Sequence, residues 1–151
     1  MTELIVTRTD AEYMKEAIKE ANKALAMGEV PIGAVVVCNG RIIGRGHNQT
    51  ETLTDVTAHA EIIALSAATQ TLGAKYLTNC TLYVTVEPCC MCAGALAWAQ
   101  LARLVYGASD EKRGYARCHP SILHPKTIIT QGILADECSQ LVLDFFKGKR
   151  N

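Results

Sequence analysis

The stretch Thr81-Leu-Tyr-Val-Thr-Val-Glu-Pro-Cys-Cys-Met-Cys92 decides how the chain folds. Its first six residues have strand composition, β-branched or aromatic with one leucine. Pro88 cannot donate a ladder hydrogen bond, so the strand ends before it. Cys89 to Gln100 is rich in Ala and Leu and predicts a helix. Arg103-Leu-Val-Tyr-Gly107 is the next short strand. A strand that passes through a helix to another strand belongs to a sheet with helices packed on it.

The same alternation extends in both directions. Upstream, Asp10 to Met27 is an amphipathic helix with Met14, Ala17, Ile18, Ala21, Ala24 and Leu25 as its apolar stripe. Thr9 or Asp10 can cap it, and Gly28 suits its end. Pro31 to Cys38 and Arg41 to Gly46 flank Asn39-Gly40, which predicts a hairpin with a two-residue turn. Asn48 to Thr57 is a polar loop, and a second helix runs from about Thr57 or Ala58 to Leu72. Downstream, Ser109 to Lys126 is irregular, Thr127 to Thr130 is a last short strand, and Ala135 to Lys147 is a closing helix. The order α-β-β-α-β-α-β-β-α predicts an α/β fold in which helices cover both faces of a sheet that opens with an antiparallel hairpin.

The chain has 151 residues, about half of them hydrophobic, which predicts a single domain over 1–151. Fifteen Lys and Arg balance 15 Asp and Glu, which excludes an indiscriminate polycation, so any nucleic-acid site must come from local clustering. No apolar run reaches the length of a membrane span. The N-terminal MTELIVTRTD carries no cleavable leader pattern, and the expected location is the cytoplasm. The seven cysteines are odd in number, which favours reduced thiols, some of them ligating metal, over a disulfide framework.

Two short segments carry chemistry: His59-Ala60-Glu61 and Pro88-Cys89-Cys90-Met91-Cys92. Each lies where a helix begins. Cys89 and Cys92 are three apart and share a face of the first turn, where the helix dipole favours thiolates. With His59 they make a three-ligand set, which leaves the fourth tetrahedral position of a zinc ion to water, as in catalytic rather than structural sites. Zinc lowers the pKa of such a water toward about 7. Glu61 is then the candidate general acid and base. Residues two apart in a regular helix point to opposite sides, so His59 and Glu61 can converge only if His59 stands at the helix start. Cys90, between the two ligands, is assigned to packing. A lone Cys-x-x-Cys is often a redox pair or half of a structural zinc site; the pairing with His-x-Glu favours catalysis.

His-x-Glu with Pro-Cys-x-x-Cys is a known signature of zinc nucleobase deaminases. Beyond it, the chain resembles the bacterial tRNA-specific adenosine deaminases of the cytidine/deoxycytidylate deaminase superfamily. The stretches that carry the resemblance are Glu29 to Val35, Gly46 to Asn48, Thr57 to Glu61, Thr81 to Cys89, Met91 to Ala95, Val105 to Ala108, Gly132 to Cys138 and Asp144 to Phe146. The resemblance implies a cytidine-deaminase-like three-layer α/β/α sandwich with a mixed five-stranded sheet. It implies one Zn2+ per subunit, a homodimer, a tRNA anticodon stem-loop as partner, and conversion of adenosine to inosine at the wobble position. It also implies that hydroxide on the zinc attacks adenine C6 while Glu61 shuttles protons. By position, Asn48 matches a residue that contacts the flipped base and Asp110 one near its sugar. Phe145 or Phe146, with the basic tail of Lys149 and Arg150, matches a helix that holds the anticodon loop. The chain departs from the family between Arg113 and Lys126, so RNA contacts there are not carried over.

Two other readings stay open: a free-base deaminase acting on guanine, and a non-catalytic zinc-stabilised RNA-binding subunit. Cys118, His119 and His124 could form a second metal site, but nothing fixes a fourth ligand, and packing or RNA contact is the preferred role. His47 is expected to be structural, and Glu87 to orient the ligand loop.

Overall fold

The first helix, α1 (Asp10–Ala26), starts with a reciprocal cap. The Glu12 backbone N–H donates to Thr9 Oγ1 at 3.2 Å, and the Thr9 N–H donates to the Glu12 carboxylate at 3.2 Å. Its stripe of Met14, Ala17, Ala21 and Ala24 is buried, whereas Leu25 is exposed. The computed structural model describes residues 8–118 and 122–149; His119 and Arg150 lie outside them.

Strands β1 (Gly33–Cys38) and β2 (Arg41–His47) form the expected hairpin, with Asn39 and Gly40 both at positive φ in the turn. Then follow α2 (Ala60–Leu72), β3 (Cys80–Val86), α3 (Cys90–Trp98) and β4 (Arg103–Ala108). A short α4 (Tyr115–Cys118) stands where only irregular chain was expected, before β5 (Ile128–Gln131) and α5 (Ala135–Lys149). The sheet order is β2-β1-β3-β4-β5. Pairings β1–β2 and β1–β3 are antiparallel, and β3–β4 and β4–β5 are parallel. This is the mixed five-stranded sheet of the expected fold class.

The period of two along each strand divides the core. Ala34, Val36, Leu82, Val84 and Leu104 pack with Ala60, Ala64 and Ala68 of α2 and with Ala93 and Leu96 of α3. Val35, Val37, Tyr83 and Val105 pack on the other side with Met14 and Ala17 of α1 and Cys138 of α5. The result is three layers.

Two features place the functional residues. On β2, a Cβ at Gly46 would collide with the Ala60 carbonyl, and one at Gly44 with the Ala64 carbonyl. Bare glycines thus let β2 lie directly against the backbone of α2 and fix its start. In the parallel pair, Val86 stands beside Ala108, so Glu87-Pro88-Cys89 and Ser109-Asp110 leave the sheet side by side. Ligands of open α/β sheets bind at such carboxyl ends of strands.

Candidate active site

His59 and Cys89 are the N-cap residues of α2 and α3, both with extended backbone, φ −77° and −72°. Neither side chain caps its own helix, so both are free to face a ligand. This answers the spacing question: His59 stands just outside the helix, Glu61 sits within its first turn, and the two converge. His59 Nδ1 lies 3.6 Å from Cys89 Sγ and 3.5 Å from Cys92 Sγ. One imidazole nitrogen and two sulfurs within 4.8 Å of one another form a group that can hold a metal ion. Among the described residues no other His, Cys, Asp or Glu joins them. The donor set suits a tetrahedral ion with one position left for a non-protein ligand.

Ionisation in the site follows from hydrogen bonding and burial. The Cys92 thiol hydrogen-bonds to Cys89 and, aided by His59 and against burial, holds the Cys89 thiol down at about 4. Giving that hydrogen bond, together with burial, pushes Cys92 up. Cys89 in turn holds His59 above the usual histidine range. Burial raises Glu61 to about 7, between the protonation states a proton carrier must visit.

A cavity of about 330 Å³ opens over these groups. His59, Glu61 and Cys89 line it, and so do Asn48, Asp110 and Phe146 of the expected substrate residues. Phe145 and Lys149 do not line it. Phe145 is half-buried with Lys149 Nζ 5.2 Å from its ring centre, and Phe146 is the exposed member of the pair. Thr50 and Val142 also line the cavity and were not singled out from the sequence as substrate residues; Arg113, one of the basic residues Lys112, Arg113, Arg117 and Lys126 that enrich the segment after β4, lines it too. Val142 and Phe146 are four apart on α5, a spacing that the apolar side of that helix already carried.

Two loops wall the cavity, each tied to a buried carboxylate. Glu29, 1% exposed, accepts from the backbone N–H of Glu51 at 3.2 Å and of Thr52 at 2.7 Å, and from Thr52 Oγ1 at 2.6 Å. Opposite, Glu87 accepts from the N–H of Asp110 at 3.1 Å and of Ala116 at 3.2 Å, and Gly114 packs so closely on its carboxyl that a Cβ would collide. Glu87 thus holds the segment after β4 against the ligand turn, while the Tyr115 N–H donates to the Pro88 carbonyl at 2.9 Å. Glu29 opens one of the stretches that carry the family resemblance, but no role was read for it from the sequence.

The expectation of reduced thiols needs one correction. Cys90 and Cys118 form a disulfide, with Cα atoms 6.3 Å apart, and the other five cysteines are free. Cys90 is therefore a cross-link rather than mere packing. The reason is topological: α4, which the sequence did not reveal, brings Cys118 back to the start of α3. This also removes Cys118 from any second metal site, and His124 Nδ1 accepts from the Lys126 N–H at 3.2 Å. His47, expected to be structural, has its Nδ1 3.7 Å from the Glu20 carboxylate.

Comparison with known proteins gives a consistent result. The MafB19-like deaminase family matches residues 8–149. The tRNA-specific adenosine deaminase of Bacillus subtilis (strain 168) is 44% identical over 146 residues, 93% of this chain and 91% of that protein. The protein of the same name from Haemophilus influenzae is 46% identical over 147 residues, 93% and 85% of the two chains. A structure solved in studies of A-to-I editing by tRNA:A34 deaminases at the wobble position superposes with a TM-score of 0.80 at 41% identity, covering 86% of this chain and 98% of that one. A guanine deaminase from Nitrosomonas europaea superposes with a TM-score of 0.82 at 25% identity, covering 94% and 86%. The chain belongs to the MafB19-like deaminase family and to the tRNA-specific adenosine deaminases.

Proposed function

We propose that this protein hydrolyses the wobble adenosine of a tRNA anticodon to inosine, releasing ammonia. The observation that carries the reading is the placement of buried Glu61 beside the His59–Cys89–Cys92 donor set, in a cavity lined by Asn48 and Asp110. The names borne by the relatives supply the substrate.

His59, Cys89 and Cys92 hold zinc, one ion per subunit. Zinc held there supplies Lewis acidity that activates a water at neutral pH. Glu61 takes one proton from the attacking water and delivers it to adenine N1, then takes the second from the new C6 hydroxyl and passes it to the amine, which leaves as ammonia as the C6 carbonyl forms. Asn48 hydrogen-bonds the extruded base, and Asp110 lies by its sugar. Phe146 offers a face to an unstacked base, with Phe145 behind it, and Lys149 and Arg150 meet phosphates of the loop. Extruding a base from a single-stranded loop costs less than from a duplex.

The protein works as a homodimer in the cytoplasm, and among the described residues no helix is long and apolar enough to cross a membrane. Trp98, 85% exposed, and Met91, 39% exposed, are seven apart and share one face of α3, which suits contact with a second copy. Sedimentation at the mass of two chains is the expected outcome.

The test of function offers the zinc-loaded protein an anticodon stem-loop with a wobble adenosine, and free guanine separately. Inosine in the stem-loop is the expected product, and Glu61→Ala keeps the metal and loses turnover by at least about a thousandfold. Ammonia from guanine alone would give the site to the free-base reading. Full activity of Glu61→Ala would remove the proton-carrier role.

A further inference from the structure

The catalytic cavity does not end at its rim. It continues into a groove of about 730 Å³ between the segment after β4 and α5. His59, Glu61 and Asn48 line only the cavity, while Ser109, Lys112 and Ser139 line only the groove. Arg113 lines both and is the one cation at their junction, where Asp110 is the one anion. The Asp110 carboxylate is engaged locally: its Oδ1 accepts from the N–H of Lys112 at 3.1 Å and of Arg113 at 3.0 Å. That turn fixes the backbone of Arg113 and leaves its exposed guanidinium free to reach over the junction. Among the described residues no carboxylate forms an ion pair with it.

We infer that Arg113 binds the phosphodiester linking the nucleoside in the catalytic cavity to its neighbour in the groove. This rests on the RNA reading above. A strand whose target base enters one cavity and whose next nucleotide occupies the adjoining one must pass a phosphate over the junction. Of the other charged groups lining the two spaces, Glu61, Glu87, Asp110 and Glu111 repel a polyanion, and Lys112 is a cation of the groove alone. A guanidinium fork matches two phosphate oxygens and supplies the counter-charge at the junction itself. A free nucleobase has no phosphate to place there, so Arg113 favours a strand over a free base without touching the reacting atoms.

The experiment compares the zinc-loaded wild type with Arg113→Ala on an anticodon stem-loop. It repeats the comparison on two stem-loops in which one linkage flanking the target adenosine, on either side, is an uncharged methylphosphonate. On the wild type, one of the two neutral linkages raises KM about tenfold and leaves kcat within about twofold. Arg113→Ala raises KM for the natural stem-loop by a similar factor, no longer distinguishes that linkage, and lowers the log–log salt slope of kcat/KM by about one. Arg113→Lys recovers part of the loss. A wild type indifferent to both linkages, or an Arg113→Ala enzyme as sensitive as the wild type, would overturn the assignment while inosine formation left the RNA reading standing. No inosine from the wild type with the natural stem-loop would overturn both.

Discussion

The two walls of the catalytic cavity solve one problem with different degrees of redundancy. Each is irregular chain, and each has its backbone N–H groups gathered onto a buried carboxylate from another part of the molecule. The loop between β2 and α2 has Glu29 and, at its first residue, the Asn48 N–H to Ile32 carbonyl bond at 3.1 Å, beside turns internal to the loop such as the Asp55 N–H to Thr50 carbonyl bond at 3.0 Å. The segment between β4 and α4 has Glu87, the pairing of Cys89 with Gly114 that includes the Tyr115–Pro88 backbone bond, and the Cys90–Cys118 disulfide. Past Asn48 the first wall is tied to the rest of the molecule chiefly by one carboxylate, and it fails when that carboxylate is removed. A wall held at three loses a fraction of its order with each.

The largest effect is therefore expected at Glu29. Glu29→Ala removes the acceptor of three hydrogen bonds and frees the chain that presents Thr50. Misplacing such groups by about 1 Å costs about a hundredfold, so kcat/KM should fall by that order while zinc is retained. Equal losses in Glu29→Ala and Glu87→Ala, measured side by side, would break the comparison. The pH dependence has a definite sign. Burial pushes the Glu29 carboxyl up, but hydrogen bonds from Thr52 and Glu51 outweigh it and hold it below the usual range. An acid so depressed contributes stability that is complete above its unfolded value and is lost as pH falls through its lower folded value. The gap in melting temperature between wild type and Glu29→Ala should be flat from about pH 6 to 8 and narrow below about pH 4.

The same contrast explains what could be read from the sequence. His59, Glu61, Cys89 and Cys92 were legible because each pair lies within one helix start, and helix starts are written in local composition. Their convergence needed only His59 to stand one position outside its helix. The sheet was legible because strand and helix periods differ. Glu29 was not, because it acts on residues 22 and 23 positions later through a loop with no periodicity. Arg113 and Asp110 reach the cavity only because β4 runs parallel beside β3, a register the strand sequences do not state. The disulfide needed the short α4, four residues in a stretch broken by prolines, to be seen at all. Asn48 and Asp110 were reached through family resemblance, which carries tertiary information that a single chain's pattern lacks.

A smaller loss is expected at Glu87. Glu87→Ala removes two backbone hydrogen bonds and opens space beside Gly114, but the Tyr115–Pro88 bond and the cross-link still hold the segment near its place. kcat/KM should fall about tenfold, chiefly through KM, since Asp110 and Arg113 shift while Glu61 does not. If Glu87→Ala lowers kcat as much as it raises KM, then Glu87 also shapes the ligand turn through Pro88, and the wall is less independent of the metal site than its ties suggest.

The smallest effect on activity belongs to the disulfide, and there stability and activity should separate. Cys90 and Cys118 are 28 positions apart. Closing a chain loop of that size stabilises mainly by restricting the unfolded ensemble, by about 2 to 4 kcal/mol, which for a protein of this length is about 5 to 10 °C in melting temperature. In the folded protein the same segment is already held by Glu87 and by backbone bonds, so the cross-link adds little to the order of the wall. Cys118→Ser, or reduction of the wild type by excess thiol, should therefore lower the melting temperature by that amount and leave kcat/KM within about twofold. Alkylation and mass analysis of the native zinc-loaded protein, with and without reductant, checks that the bond is present at the outset. An enzyme that melts as before but loses tenfold in kcat/KM would reverse the assignment. The disulfide would then be the principal tie of that wall, with Glu87 secondary to it, and the two walls would each hang on a single point.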